Sequence, residues 1–129
     1  MSFKDFKNKK EASVSAFITA GLSAVTYAHI IHLNENDYNR HVILDEFYKA
    51  LPELMDAFAE AWLADNSGIS MELPRLTSEV PEDMIQALVE MGSSIRPHLI
   101  PALQSQMDSI VMQCKQTLYK LRKLTKGTK

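Results

Sequence analysis

The stretch that decides the fold is YAHIIHLNENDYNRHVILDEFYKALPELMDAFAEAW, residues 27–62. It contains the end of one helical pattern, a polar turn at Asn34–Asp37 and nearly all of a second helical pattern at Tyr38–Asp65. Because the turn is short, we expect the two helices to pack antiparallel, with Asp37 or Asn39 capping the second. The core face of this second helix repeats every three or four positions, at Leu44, Phe47, Leu51, Leu54, Phe58 and Trp62.

The sequence on both sides of this hairpin also predicts local structure. Toward the N-terminus, apolar residues at helical spacing predict a first helix from Ala12 to about Leu33. Within the second helix, Pro52 lacks an N–H and crowds the preceding turn, so we expect it to kink the helix rather than end it. After this helix, residues 69–80 have no helical period and predict an irregular connection.

The remaining segment predicts two more helices. Pro81 suits the first turn of a short third helix through about Met91, and Gly92–Ser94 should break or bend it. A fourth helix should start near Pro97 and tolerate Pro101 in or near its first turn, with apolar residues at helical spacing beyond. No segment shows the two-residue period of a strand. The fold class predicted is all-α, a four-helix bundle with a short third helix.

The composition predicts one domain with charged ends. The 129 residues are 46% hydrophobic, enough to bury a single core. We expect a basic N-terminal tail at 1–11, the bundle at 12–124 and a basic C-terminal tail at 125–129. Ten of the 14 basic residues lie in the first ten and last fifteen positions, which leaves the body acidic. Basic tails can contact nucleic-acid phosphates, but short lysine-rich tails more often aid solubility, and the acidic body disfavours a DNA-binding face.

The sequence also indicates a compartment. Cys114 is the one cysteine, so it cannot form an intramolecular disulfide, and this favours a reducing setting. The N-terminal segment is basic but leads into no apolar signal region, and no 18 consecutive residues are apolar. We therefore expect a cytoplasmic protein with no membrane partner.

A polar face on the second helix is more than a plain bundle requires. It is formed by His41, Asp45, Tyr48, Asp56 and Glu60. His29 lies near the end of the helix packed against it. Imidazole and carboxylate groups are suitable ligands for iron, manganese or zinc. At about 1.5 Å per residue, Asp56 and Glu60 lie roughly 22 to 28 Å along the helix from His41, too far to share one metal.

A second copy of the chain could bring these distant residues together. If two second helices pack antiparallel about a two-fold axis near Leu51 and Pro52, the start of each helix meets the end of the other. A homodimer, or a higher even oligomer, would then hold two equivalent sites. This places His41 and Asp45 of one subunit beside Asp56 and Glu60 of its partner, with His29 nearby on the preceding helix.

This spacing, within residues 27–62, resembles the ferroxidase segment of Dps, the miniferritins. The resemblance implies a ferritin-like bundle in which five ligands, His29, His41 and Asp45 of one subunit with Asp56 and Glu60 of its partner, bind ferrous iron and promote its oxidation by hydrogen peroxide or oxygen. The chain departs from the family pattern at Ile30, where a Trp is usual, and at Ala61, where an Arg is usual. Residues 32–62 are also similar to small phage-encoded ferritin-like proteins with no activity implied.

Other interpretations of the same residues stay open. The polar face could line an oligomer interface or hold a small ligand in a non-catalytic, ferritin-like interaction or structural module. His32 and His98 are each more typical of packed or surface histidines than of ligands, although His29 and His32 could form a local pair. Tyr48 could pack at an interface with its hydroxyl satisfied, or lie close enough to reduce an oxidant. Cys114 has no neighbouring His and gives little support for a thiol nucleophile.

Overall fold

The computed structural model describes residues 3–76 and 78–125, with side chains from Ser13 onward. In this part of the chain every regular element is helical. The elements are α1 (Phe3–Asn34), α2 (Tyr38–Leu63), α3 (Pro81–Ile95), a 3-10 turn (Arg96–His98) and α4 (Pro101–Lys123). The predicted all-α bundle with a short third helix is confirmed.

Local residues explain where the helices begin and end. The Asp37 side chain accepts a hydrogen bond from the Arg40 backbone N–H at 2.9 Å and so caps α2, one of the two caps expected. Pro81 and Pro101 each occupy the first turn of a helix, where a missing N–H costs nothing. Beyond α2, Gly68 has a φ of 153°, a backbone conformation that side chains with a Cβ rarely adopt.

The connectivity consists of two antiparallel hairpins joined by one long crossover. Helix α1 packs against α2 and α3, and α4 packs against the same two helices from the other side. The crossover follows α1, since the Ser70 N–H bonds the Ser15 hydroxyl and the Leu76 N–H bonds the Tyr27 hydroxyl. Helices α2 and α3 therefore start at the same end of the bundle. One long crossover of this kind is the connectivity of ferritin-like bundles.

A single core fills the centre of the bundle. The rings of Phe17 and Phe58 meet edge to face, with centroids 5.9 Å apart. Fully buried side chains from all four helices complete the core, among them Ile18, Leu44, Phe47, Leu51, Met55, Ile85, Met107, Ile110, Cys114 and Leu121. Because this core occupies the inner side of α2, the polar face of α2 lies on the outside of the α1–α2 hairpin.

Several helix boundaries in the structure differ from those predicted. Helix α1 begins at Phe3, ahead of its apolar stripe, because Lys, Glu and Ala are good helix formers, so residues 3–11 continue a helix. Helix α2 continues through Pro52, as predicted, but ends at Leu63. Of the expected C-terminal tail, Thr125 is buried, and residues 126–129 lie outside the described part of the chain.

The boundaries of the second hairpin, α3 and α4, differ more from those predicted. Helix α3 runs past Gly92 to Ile95 instead of ending near Met91, because Gly92 is buried where α4 approaches closely. Pro97 lies in the 3-10 turn, so α4 starts at Pro101.

One segment of α1, Ser13–Asn34, is long and apolar enough to cross a membrane by length and composition. Half of its most apolar window is buried inside the bundle. The expectation of no membrane partner remains a prediction.

Candidate metal-binding face

The turn between α1 and α2 brings two histidines into direct contact. The rings of His32 and His41 stack with centroids 3.7 Å apart and planes inclined by 23°. His32 Nδ1 lies 2.7 Å from the backbone carbonyl oxygen of His41, and His41 Nδ1 lies 2.9 Å from that of His32. A carbonyl oxygen only accepts, so in each neutral ring Nδ1 carries the hydrogen and Nε2 keeps its lone pair. Both rings therefore keep the nitrogen that a metal needs.

A carboxylate lies beside this pair. Asp45 accepts a hydrogen bond from the Tyr48 hydroxyl at 2.8 Å and one from the Lys49 ammonium at 3.0 Å. The bonds from Lys49 and Tyr48 lower the pKa of Asp45, and the bond to Asp45 raises the pKa of the Tyr48 phenol. His32 Nε2 lies 3.9 Å from the Asp45 carboxylate. The carboxylate is thus ionised at neutral pH and close to a free imidazole nitrogen.

His29 reaches the same group through an aromatic contact. Its exposed ring stacks on Tyr48, with centroids 4.2 Å apart and planes inclined by 11°. Its centroid lies 6.1 Å from that of His32. We call His29, His32, His41, Asp45 and Tyr48 the histidine cluster. Three of the five predicted ligands, His29, His41 and Asp45, belong to it.

The other two predicted ligands, which we call the acidic pair, lie apart. Asp56 and Glu60 are exposed on the later turns of α2, and no hydrogen bond joins them to the histidine cluster. Among the described residues, no three His, Cys, Asp or Glu side chains of one chain stand close enough to hold a metal ion. A site made of the histidine cluster and the acidic pair therefore depends on a second copy of the chain.

The predicted position of the two-fold axis needs one correction. Leu51 is completely buried in the core, so it cannot contact a second copy. Its neighbour Pro52 is half-buried and remains accessible at that level of α2. On α1, exposed Leu22 shares the face of His29 through its seven-residue spacing, whereas exposed Ile30 points about 100° around the helix from His29. An interface there would cover apolar as well as polar surface.

His32 has a larger role in this face than its sequence pattern indicated. It is 7% exposed, so the interpretation of it as a packed histidine is confirmed, yet it is the centre of the cluster. The missed signal is its position relative to the turn. His32 and His41 lie at similar distances before and after Glu35–Asp37, and residues so placed face each other in an antiparallel hairpin. The hydroxyl of Tyr48 is satisfied within the chain, by Asp45.

Two further residues are not part of this face. Cys114 is buried in the core, and burial raises the pKa of its thiol to about 12, so it is no nucleophile at neutral pH. His98 lies exposed in the 3-10 turn, as the surface interpretation of it predicted. The fold and face together define an all-α bundle with one long crossover and a histidine cluster at one end of its first hairpin.

Comparison with known proteins identifies the family of this bundle. The chain belongs to DUF5856, a family of unknown function, whose model matches residues 32–121. The match begins at His32 and so includes all of α2, with His41, Asp45 and the acidic pair. The chain is also 29% identical over 126 residues to an uncharacterized 14.6 kDa protein in the mobD-ri intergenic region of Enterobacteria phage T4. That alignment covers 94% of this chain and 98% of the phage protein. No solved structure matches.

Proposed function

We propose that this protein is a Dps-like iron-binding protein whose ferroxidase-type site lies between two copies of the chain. The observation that supports it best is the reciprocal bonding of His32 and His41. Each ring is fixed by a carbonyl on Nδ1 and offers Nε2 as a donor, which is the arrangement found behind metal-bound histidines. The nearby ionised Asp45 adds an oxygen donor, and nitrogen with oxygen suits ferrous iron, with manganese and zinc as alternatives.

The acidic pair would complete this half-site from the partner. Asp56 and Glu60 are exposed, and neither is bonded to another described side chain, so both are available to a second copy. An isologous interface centred near Pro52 would bring the acidic pair of one copy to the histidine cluster of the other. The negative charges of the acidic pair would then face the positive charge of Lys49, which donates a hydrogen bond to Asp45 of the cluster. Leu22 would lose contact with water in the same step.

The reaction follows from the substrate. Two ferrous ions give two electrons to one hydrogen peroxide, which takes up two protons and leaves as two waters. The chain itself would bind and position the iron through its imidazoles and carboxylates. Tyr48, hydrogen-bonded to Asp45 and stacked on His29, would stand beside the bound iron as a second source of an electron and a proton.

The first test is metal binding. We expect native mass spectrometry after anaerobic incubation with ferrous iron to give an even oligomer with about two metal sites per dimer. His41→Ala and the double variant Asp56→Ala/Glu60→Ala should each lose this metal, whereas the matched surface variants His98→Ala and Glu79→Ala/Glu90→Ala should keep it. Peroxide should then oxidise iron faster than in buffer only with the proteins that bind it. Full metal content in the Asp56→Ala/Glu60→Ala variant would rule out the proposed ligand set.

One observation favours a second candidate, a non-catalytic interaction or structural module. Both Nδ1 atoms and both Asp45 oxygens already have hydrogen-bond partners within the chain. The cluster could therefore hold the α1–α2 turn together with no metal. This candidate predicts a metal-free oligomer. His41→Ala would then lower only the stability of the fold. The same mass-spectrometry experiment separates the two candidates.

A further inference from the structure

The second half of α4 carries positive charge on its outer side. From residue 109 to the C-terminus the sequence contains six basic residues and no acidic residue, although the chain as a whole is slightly acidic. Lys115 and Lys123 are exposed on α4, and neither forms an ion pair with another described residue. They lie about 12 Å apart along the helix, both on the side away from the core. This face therefore presents two unpaired positive charges to solvent.

An exposed aromatic ring lies midway between these charges. Tyr119 is four residues from each lysine and 58% exposed, and its hydroxyl bonds no residue in the described part of the chain. Together with Met112, it borders a shallow depression on the outside of α4. The core side of α4 is opposite, at Cys114 and Leu121, so the Tyr119 ring contributes little to the packing of the bundle. A ligand that suits this face has negative charges and a flat ring that can lie on Tyr119.

Acidic residues on the neighbouring helices limit the width of this basic face. On the side of α2, Lys120 donates a hydrogen bond to exposed Glu46 at 3.0 Å. On the side of α3, exposed Glu90 follows one turn after Gln86, which accepts a hydrogen bond from Arg122. The basic face is therefore about one helix wide, roughly 10 Å. An anionic bilayer or a double helix would also cover the flanking carboxylates and be repelled by them, whereas a single strand would not.

We propose that the outer face of α4 binds single-stranded nucleic acid. The ammonium groups of Lys115 and Lys123 would contact backbone phosphates, and Tyr119 would stack on a base between them. Positive charge along the backbone, combined with an aromatic ring for stacking, is how proteins bind single strands without reading their sequence. Single strands of DNA and RNA share this chemistry. None of these residues belongs to the histidine cluster or the acidic pair, so the proposal does not depend on the iron site.

The test is a titration of fluorescently labelled oligothymidylate and oligouridylate, each of about twelve nucleotides, with the iron-free full chain. We expect fluorescence anisotropy to give a Kd on the order of 10 μM at about 50 mM salt, and a Kd about fivefold or more higher for a duplex of the same length. Because about two phosphates are neutralised, log Kd should rise with log salt concentration with a slope of about 1.4. The strand that binds more tightly identifies the natural ligand as DNA or RNA.

Two sets of variants separate stacking from charge. Tyr119→Leu should weaken binding about tenfold with an unchanged salt slope, whereas Tyr119→Phe keeps the ring and should bind almost as the natural chain does. Lys115→Gln/Lys123→Gln should weaken binding about tenfold and bring the salt slope toward zero. The control Lys9→Gln/Lys10→Gln removes the same charge from the start of α1 and should change the Kd less than about twofold. The substituted side chains of α4 are exposed, so these variants should unfold at the same temperature as the natural chain.

Four outcomes would each overturn the proposal. They are no saturable binding of either strand, equal affinity for the duplex, unchanged affinity in Tyr119→Leu, and a loss in Lys9→Gln/Lys10→Gln as large as in Lys115→Gln/Lys123→Gln. Binding of phosphatidylserine vesicles without binding of either strand would overturn it as well and identify the face as a lipid-binding surface.

Discussion

At the scale of single residues, His32 is the side chain on which the histidine cluster depends. It stacks on His41, contacts Tyr48 edge to face and bonds across the turn through Nδ1. We predict that His32→Ala lowers the free energy of unfolding by about 2 kcal/mol, since a buried ring and a hydrogen bond are lost together. Urea denaturation measures this. His98→Ala, on an exposed histidine, should stay within about 0.5 kcal/mol of the natural chain, and equal losses would contradict the role of His32.

Cys114 gives a second prediction for a single residue. Because burial raises the pKa of its thiol from 9.0 to about 12, almost no thiolate exists in the folded chain at pH 8. We expect iodoacetamide to label the folded chain roughly a hundredfold or more slowly than the chain in urea. The folded form holds its proton more tightly than the unfolded form, so this group destabilises the fold as pH rises above about 9. Equal labelling rates would show that Cys114 is accessible.

At the scale of the helices, Gly92 permits the close packing of α3 on its neighbours. A Cβ there would lie 2.9 Å from Met107 Sδ, 3.1 Å from Val111 Cγ2 and 3.4 Å from the Phe17 ring. Gly92→Ala should therefore cost about 1 to 3 kcal/mol of stability by overpacking, even though alanine is the better helix former. The matched variant Ser93→Ala, on the exposed side of α3, should cost less than about 0.5 kcal/mol in the same denaturation experiment. A more stable Gly92→Ala protein would contradict the packing.

A largely buried ion pair ties the start of α2 to the start of α3. The Arg40 guanidinium donates two hydrogen bonds to Glu82, at 2.8 and 3.1 Å, and a third to Glu35 at 3.3 Å. Burial raises the pKa of Glu82, but the bonds from Arg40 and from the backbone outweigh it, so the pKa falls below 4.5. The pair therefore stabilises the fold above about pH 4.5, and that stability is lost as pH falls through the lowered pKa.

The pH dependence gives a test of this ion pair. Glu82→Gln should lose about 1 to 2 kcal/mol at pH 7, between the values of exposed and buried pairs. The difference from the natural chain should shrink as the pH falls below 4.5, because Glu82 is then protonated in the unfolded chain and, as the pH falls through its lowered pKa, in the folded chain as well. Urea denaturation at several pH values measures it, with exposed Glu79→Gln as the control. A difference that stays constant from pH 7 to 3 would contradict the ionic contribution.

The order of helices could be predicted because the apolar period, the Asp37 cap and the proline positions are local signals. The helix ends that were wrong in the second hairpin depend on more than local signals. Glycine in a helix normally indicates a break, and only the approach of Met107 explains why α3 continues past Gly92. Likewise, Pro97 and Pro101 are equally suitable as a helix start, and the 3-10 turn decides for Pro101.

At the scale of the whole molecule, helical register predicted which side chains share a face but not how they bond. His41 and Asp45 were expected together, and they are, through His32 and Tyr48, whose roles depend on ring stacking across the hairpin. The distance between His41 and the acidic pair follows from the rise of one helix. Whether a partner closes that distance is a property of two chains, which makes subunit mixing the most direct test.

The last prediction concerns a heterodimer of two variants. One subunit carries His41→Ala and keeps its acidic pair, and the other carries Asp56→Ala/Glu60→Ala and keeps its histidine cluster. If the site is shared between subunits, one of the two sites in this heterodimer has every ligand. The other site lacks both His41 and the acidic pair. We expect the purified heterodimer to bind half the ferrous iron of the natural dimer, although each variant homodimer binds none. A heterodimer that binds no iron would contradict a site shared between subunits, and iron binding by both homodimers would exclude these residues as ligands.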